Sequence, residues 1–164
     1  METHRCPGSH LKRAPGPFGP LVMNQATRHY TVLDHTADLG IKVWGSGLGD
    51  LFKNAGLALM DLIVEGKTDD SGTTKEISVL GHDLSDLMVR WLGEILYLFE
   101  GEGLVVTDIH IEDIRPSKLD ARVRVTPFDP NSHEILSEIK AVTYHQSYVK
   151  DLGGQWETRI IFDL

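Results

Sequence analysis

The chain has 164 residues, 41% of them apolar and 24% charged, and its 24 Asp plus Glu against 16 Lys plus Arg give a net charge of −8. That is the composition of an ordinary globular domain, long enough to fold without disulfide or structural-metal staples. No apolar run approaches the ~18 residues needed to cross a bilayer. The single cysteine, Cys6, excludes a disulfide framework, a multi-cysteine zinc site and, from its position, a cysteine nucleophile, so a reducing cytoplasm fits best.

The first 22 residues hold four of the seven prolines, three glycines and a charge of +2, which leaves −10 for the rest. A segment of this kind buries too little to offset its ordering entropy, so residues 1–22 read as a disordered leader or an over-long start. Met23 opens the patterned part, residues 23–164 read as one domain, and its fold is expected to start near Thr27. Leu39, Ile41 and Val43 share one face at period 2 and predict a half-buried strand over 39–44, closed by Gly45. Leu51, Phe52, Ala55, Leu59, Leu62 and Ile63 recur at helical spacing and predict an amphipathic helix over about 49–64. Residues 75–80 read as a short strand.

Asp83 is a good N-cap, and Asp86 lies in the first turn, where the helix dipole favours a carboxylate. Leu84, Leu87, Met88, Trp91, Leu92, Ile95, Leu96 and Phe99 then form the widest apolar stripe of the chain, predicting a central helix over 83–100 that stops at Gly101 and Gly103. Beyond Gly103 the period changes to two. Strands are expected over 104–112, 119–126, 135–150 and 155–164, the last two joined by a hairpin turn at Asp151-Leu-Gly-Gly154. Two helices grouped early and strands grouped late predict an α+β fold, a mainly antiparallel sheet packed with two long amphipathic helices.

Several stretches invite a functional reading. Gly45-Ser-Gly-Leu-Gly49 sits where a phosphate loop would, but it lacks the glycine spacing of a dinucleotide fingerprint and the GKS or GKT of a P-loop, so a plain strand-to-helix turn is expected. Neither HExxH nor GxSxG occurs. His133-Glu134 reads as a loop tip. Arg115, Lys118, Arg122 and Arg124 form either a basic stripe for RNA or a solvated strand face, and the latter suits an acidic protein better.

Asp34-His-Thr-Ala-Asp38 packs two carboxylates, an imidazole and a hydroxyl just before a buried strand. These groups could converge on one hard cation, Ca²⁺, Mg²⁺ or Mn²⁺ rather than zinc, or serve as turn and capping residues. At the other end, Ile160 and Phe162 alternate inward, which turns Asp163 outward with the carboxylate of Leu164 beside it; a frayed strand end is the alternative.

With their surroundings, these residues resemble the archease family. The resemblance is carried by His35-Thr-Ala-Asp38 before Leu-Gly-Ile, Leu51-Phe-Lys-Asn-Ala55, the Val89 to Phe99 helix, Ile139-Lys-Ala-Val-Thr-Tyr-His145 and the terminal Phe162-Asp-Leu164. It spans about residue 28 onward and omits the leader; Gly93 departs from the family's usual helix sequence. The resemblance implies a protein cofactor without catalytic activity of its own. It would bind a divalent metal, Ca²⁺ before Mg²⁺ or Mn²⁺, and activate an RtcB-type RNA-splicing ligase in tRNA splicing by promoting guanylylation and multiple turnover. Carried over by position, Asp38 and Asp163 are metal ligands with the Leu164 carboxylate, and Lys140 and His35 are ligase-activation candidates, His35 also suiting a packing role. The tRNA would be met through the ligase, in the cytoplasm or, in a eukaryote, the nucleus, with no membrane involved. A divalent-metal hydrolase and a general folding chaperone or modulator are the alternative readings.

Overall fold

The computed structural model describes residues 29–33, 38–67 and 71–164. The expected leader and residues 34–37, which include His35, lie outside the described residues. Among the described residues, nine strands and two helices follow one another as β1 (Tyr30–Leu33), β2 (Leu39–Gly45), α1 (Leu48–Ile63), β3 (Val64–Gly66), β4 (Thr73–Leu80), α2 (Leu84–Glu100), β5 (Leu104–Arg115), β6 (Lys118–Pro127), β7 (His133–Ile135), β8 (Ala141–Asp151) and β9 (Trp156–Asp163).

Every strand pairing is antiparallel. One sheet has the order β1-β2-β9-β8, a second has β4-β6-β5, and β3 pairs with β7 in a two-stranded ribbon. The helices pack on each other and on both larger sheets, α1 against β2 and β5, α2 against β8 and β5. This is the expected α+β architecture. Among the described residues no helix is long and apolar enough to cross a membrane.

The local chemistry explains the helix boundaries. The turn after β2 is tight at Gly45, where a Cβ would stand 2.3 Å from the Leu51 backbone nitrogen. Asp83 caps α2 by accepting from the Asp86 backbone N–H at 2.8 Å. Trp91, fully buried on α2, donates its indole N–H to the Phe52 carbonyl at 2.9 Å and so ties the two helices together. Gly153 and Gly154 take φ of +79° and +114° in the β8–β9 turn, a conformation that glycine adopts without strain.

Three expectations need correction. The strand expected over 135–150 is interrupted, because the chain leaves the β3–β7 ribbon and crosses to another sheet. Leu136 N–H donates to the Ile63 carbonyl at 2.8 Å, Ile139 is buried, and pairing resumes only at Ala141. Lys140 therefore precedes the strand rather than lying in it. The strand expected to end at 112 runs on to Arg115, since register shifts at Val106/Asp108 and Ile111/Asp113 break its alternation. His133 is not at a loop tip. It opens β7, stacks on Phe128 with ring centroids 5.6 Å apart, and accepts the Asp129 backbone N–H on Nδ1 at 3.0 Å.

Candidate functional site

Strand β9 lies between β2 and β8, and its last residues collect the terminal candidates. Leu39 pairs with Phe162 and Ala141 with Asp163. Carrying the first register one residue further sets Asp38 opposite Asp163. Phe162 is fully buried, so Asp163 points to the other face of the sheet, and both aspartates are exposed. Cross-strand neighbours hold their Cβ atoms about 5 Å apart, close enough for two carboxylates to share a cation and for their charges to repel in its absence.

On the other side of β9, Lys140 donates its backbone N–H to the Asp163 carbonyl at 2.8 Å. Its Nζ donates to the Leu164 main-chain oxygen at 3.1 Å. Asp38, Asp163, Leu164 and Lys140 therefore meet at one end of the four-stranded sheet. Beside them Phe99, Phe128, Ile135, Glu138 and Ile139 border, with Lys140, a cleft of about 460 Å³.

Among the described residues no three or more His, Cys, Asp or Glu side chains cluster in a way that could hold a metal. Among the described residues the side-chain oxygens brought together at this end are those of Asp38 and Asp163, with Leu164 beside them. Carboxylate oxygens of this kind suit a hard dication such as Ca²⁺, Mg²⁺ or Mn²⁺.

Other candidates resolve into structural roles. In the glycine-rich turn, Asp50 accepts from the Ser46 backbone N–H at 2.8 Å and from its hydroxyl at 3.1 Å, so the start of α1 is met by its own carboxylate. Three of the four basic-stripe residues are paired across or along the sheet: Arg115 with Asp113 at 2.7 Å, Lys118 with Asp120 at 2.8 Å and Arg122 with Glu112 at 2.6 Å, while Arg124 faces Asp108 across the β5–β6 register. That is the solvated face expected of an acidic protein.

Two clusters escaped the sequence reading. At the start of α2, Asp86 accepts from the His82 backbone N–H, the Tyr144 hydroxyl and Arg90 Nε, and the first two of these lead in holding its carboxyl down at about 2. On the face of the four-stranded sheet remote from the helices, Glu157 accepts from the Trp44 indole at 2.8 Å and from the Tyr148 hydroxyl at 2.6 Å. Burial, reinforced by this bond, pushes the Tyr148 phenol up to about 12, while the same bond leads in holding Glu157 below the usual carboxylate range. The signal for this second cluster was the outward alternation of Lys42, Trp44, Glu157 and Arg159. It becomes a cluster only once β2, β9 and β8 are known to be neighbours.

With this geometry in hand, the chain can be set beside known proteins. A profile of the Archease protein family (MTH1598/TM1083) matches residues 30–164. The Pyrococcus furiosus protein archease is 35% identical over 141 residues, which cover 84% of this chain and 99% of that protein. The solution structure of protein 1598 from Methanobacterium thermoautotrophicum aligns with a TM-score of 0.70 at 25% identity, covering 84% of this chain and 99% of that one. A Thermotoga maritima archease, described as a possible chaperone, shares the fold with a TM-score of 0.54 at 21% identity, over 80% of this chain and 94% of that one.

Proposed function

The chain belongs to the archease family, and on that premise we propose that it is a divalent-metal-binding protein cofactor of an RtcB-type RNA-splicing ligase, acting in tRNA splicing to promote ligase guanylylation and multiple turnover. The observation that carries this reading is the meeting of Asp38, Asp163 and Leu164 with Lys140 at one sheet end. Asp38, Asp163 and the Leu164 carboxylate are the proposed ligands, with Ca²⁺ preferred and Mg²⁺ or Mn²⁺ accepted. A bound dication supplies positive charge and Lewis acidity at that end. Asp38, just before β2, and Asp163, at the end of β9, would bring their carboxylates to it from adjacent chain segments. Lys140 carries an ammonium on a flexible stem, suited to a phosphate or a partner carboxylate. His35 joins the proposal as a residue near Asp38 in sequence. No catalytic activity of the chain's own is expected. The proposed compartment is the cytoplasm, or the nucleus in a eukaryotic cell.

The deciding experiment is ligase guanylylation under multiple-turnover conditions with and without the purified chain. Stimulation that depends on Asp38 and Asp163 is the expected result, and absence of stimulation overturns the reading. A chaperone role is the second reading, favoured by the exposed Ile135 and Leu136 beside the cleft. Suppression of aggregation in unrelated clients, without any effect on the ligase, would select it.

A further inference from the structure

Lys140 stands where the sheet end meets the cleft. Its backbone N–H is bonded to the Asp163 carbonyl at 2.8 Å and its neighbour Ile139 is buried, so the main chain is pinned on two sides at this point. Only the side chain is left to move. Its ammonium donates to the Leu164 main-chain oxygen at 3.1 Å, and Lys140 borders the cleft of about 460 Å³ together with the exposed residues Glu100 and Glu138. The ammonium thus has an acceptor at the sheet end and carboxylates along the cleft that it borders.

The metal proposed for this end would draw on the same Leu164 oxygen. A dication on that oxygen, at the roughly 2.4 Å usual for Ca²⁺, would stand within about 6 Å of an ammonium bonded to it at 3.1 Å. Two cations that close repel each other. The separation is shorter than the Debye length of about 8 Å at physiological salt, so screening does not remove the effect. The doubly charged ion, held by Asp38 and Asp163 as well, keeps the oxygen, whereas a singly charged ammonium on a flexible stem is free to leave it.

Resting on the metal reading above, we propose that Lys140 is a built-in competitor of the metal: ammonium and dication exclude each other from the Leu164 oxygen, so that metal binding releases Lys140 toward the cleft, where it meets a phosphate or carboxylate of the partner. Such coupling is reciprocal. Whatever the ammonium takes from the affinity of the metal, the metal takes from the hold of Leu164 on the ammonium. A lysine that is not itself a ligand then makes the partner contact depend on the metal, while the pinned main chain at Ile139 and Lys140 keeps its place.

The test is calorimetric titration of the full chain with Ca²⁺, and with Mn²⁺ as a second probe, in the absence of ligase. Lys140→Met removes the charge, keeps an apolar stem, and should bind Ca²⁺ roughly three- to tenfold more tightly than the native chain. Lys140→Arg keeps the charge and should stay within about twofold of the native affinity. Lys118→Met removes a positive charge from the three-stranded sheet, where Lys118 pairs with Asp120, and should leave the affinity unchanged. A second measurement needs no variant. On the native chain, acetylation of Lys140 by an N-hydroxysuccinimide ester, read by mass spectrometry, should rise about twofold or more when Ca²⁺ is added, while that of Lys118 stays level. Absence of both Ca²⁺ and Mn²⁺ binding by the native chain overturns the metal reading and the competition together. Metal binding by the native chain with equal or weaker affinity in Lys140→Met overturns the competition alone, as does labelling of Lys140 that Ca²⁺ leaves unchanged or lowers. An equal gain from Lys118→Met overturns it too, since net charge would then account for the effect.

Discussion

The Tyr144 hydroxyl donates to Asp86 Oδ1 at 2.7 Å across 58 positions of sequence, joining an irregular segment of β8 to the first turn of α2. Between Thr143 and Tyr148 the strand advances while its partner moves only from Ile161 to Arg159, so the intervening residues bulge out of the ladder. Gln146, at φ +52°, takes a conformation costly for a residue with a side chain. The Tyr144 bond and that from the Val149 N–H to Ser85 Oγ at 3.2 Å anchor the bulge to the helix.

Asp86 supplies an acid-side prediction. Its carboxyl is held at about 2, first by the His82 N–H and next by Tyr144, against an ordinary 3.8. A carboxyl depressed in the folded state contributes stability above about pH 4 that is lost as pH falls toward 2. Tyr144→Phe should move the Asp86 titration, followed by carboxyl NMR, back toward its ordinary value. An unmoved titration would show that the hydroxyl is not bonded in solution.

Trp91 should be among the most costly positions to truncate. It is fully buried and its indole satisfies the Phe52 carbonyl at 2.9 Å. Trp91→Ala should lower unfolding free energy by about 3–5 kcal/mol in chemical denaturation, from lost packing together with the cavity left behind. A denaturation midpoint equal to that of the native chain would remove α2 from the core.

Gly93 and Gly56 both sit inside helices and should respond in opposite directions. A Cβ at Gly93 meets nothing within 4 Å, so Gly93→Ala should stabilise the chain by about 0.5–1 kcal/mol through helix propensity. A Cβ at Gly56 would stand 2.5 Å from Ile109 Cδ1 and 3.4 Å from Trp91 Nε1, so Gly56→Ala should lower the urea midpoint. Equal shifts for the two variants would refute the packing difference.

The helices were legible because each announces itself locally. For α2 the apolar stripe, the Asp83 cap and the glycine stop all lie within the segment. β1 and β3 were missed because four and three residues are too few to establish a period. Lys140 was assigned to a strand because nothing in Ile139-Lys-Ala signals a crossing between sheets. Asp38 and Asp163 each stood out as a polar residue beside a buried strand. Their adjacency depends on the register Leu39↔Phe162, which joins the two ends of the domain and has no local signature. Glu157 carries no local signal in the sequence, since its partners Trp44 and Tyr148 arrive on two other strands.

Lys140→Ala should separate function from folding. Its backbone bond to Asp163 survives the substitution, and the side chain is exposed. The thermal midpoint should stay within a few degrees of the native value, consistent with a surface change of under about 0.5 kcal/mol. Stimulation of ligase guanylylation should fall. A folded variant that stimulates as well as the native chain would remove Lys140 from the site.

The sheet end offers a test of the metal proposal that leaves the core untouched. Asp38→Asn keeps an oxygen at the position but removes a charge that would offset a dication, so affinity should fall roughly tenfold or more. Extending the sequence past Leu164 by a few Gly and Ser residues converts its carboxylate into a peptide carbonyl and crowds the same end. The Leu164 oxygen remains available to Lys140, whose bond to it is 3.1 Å, so the extension changes charge without removing that partner. Calorimetric titration of the native, extended and Asp38→Asn chains with Ca²⁺ and with Mn²⁺ should give weaker binding in both variants. Equal affinity and stoichiometry in the native and extended chains would show that the Leu164 carboxylate is not a ligand. Equal affinity in the Asp38→Asn chain would remove the aspartate pair, because two facing carboxylates that share a cation cannot lose one charge without loosening it.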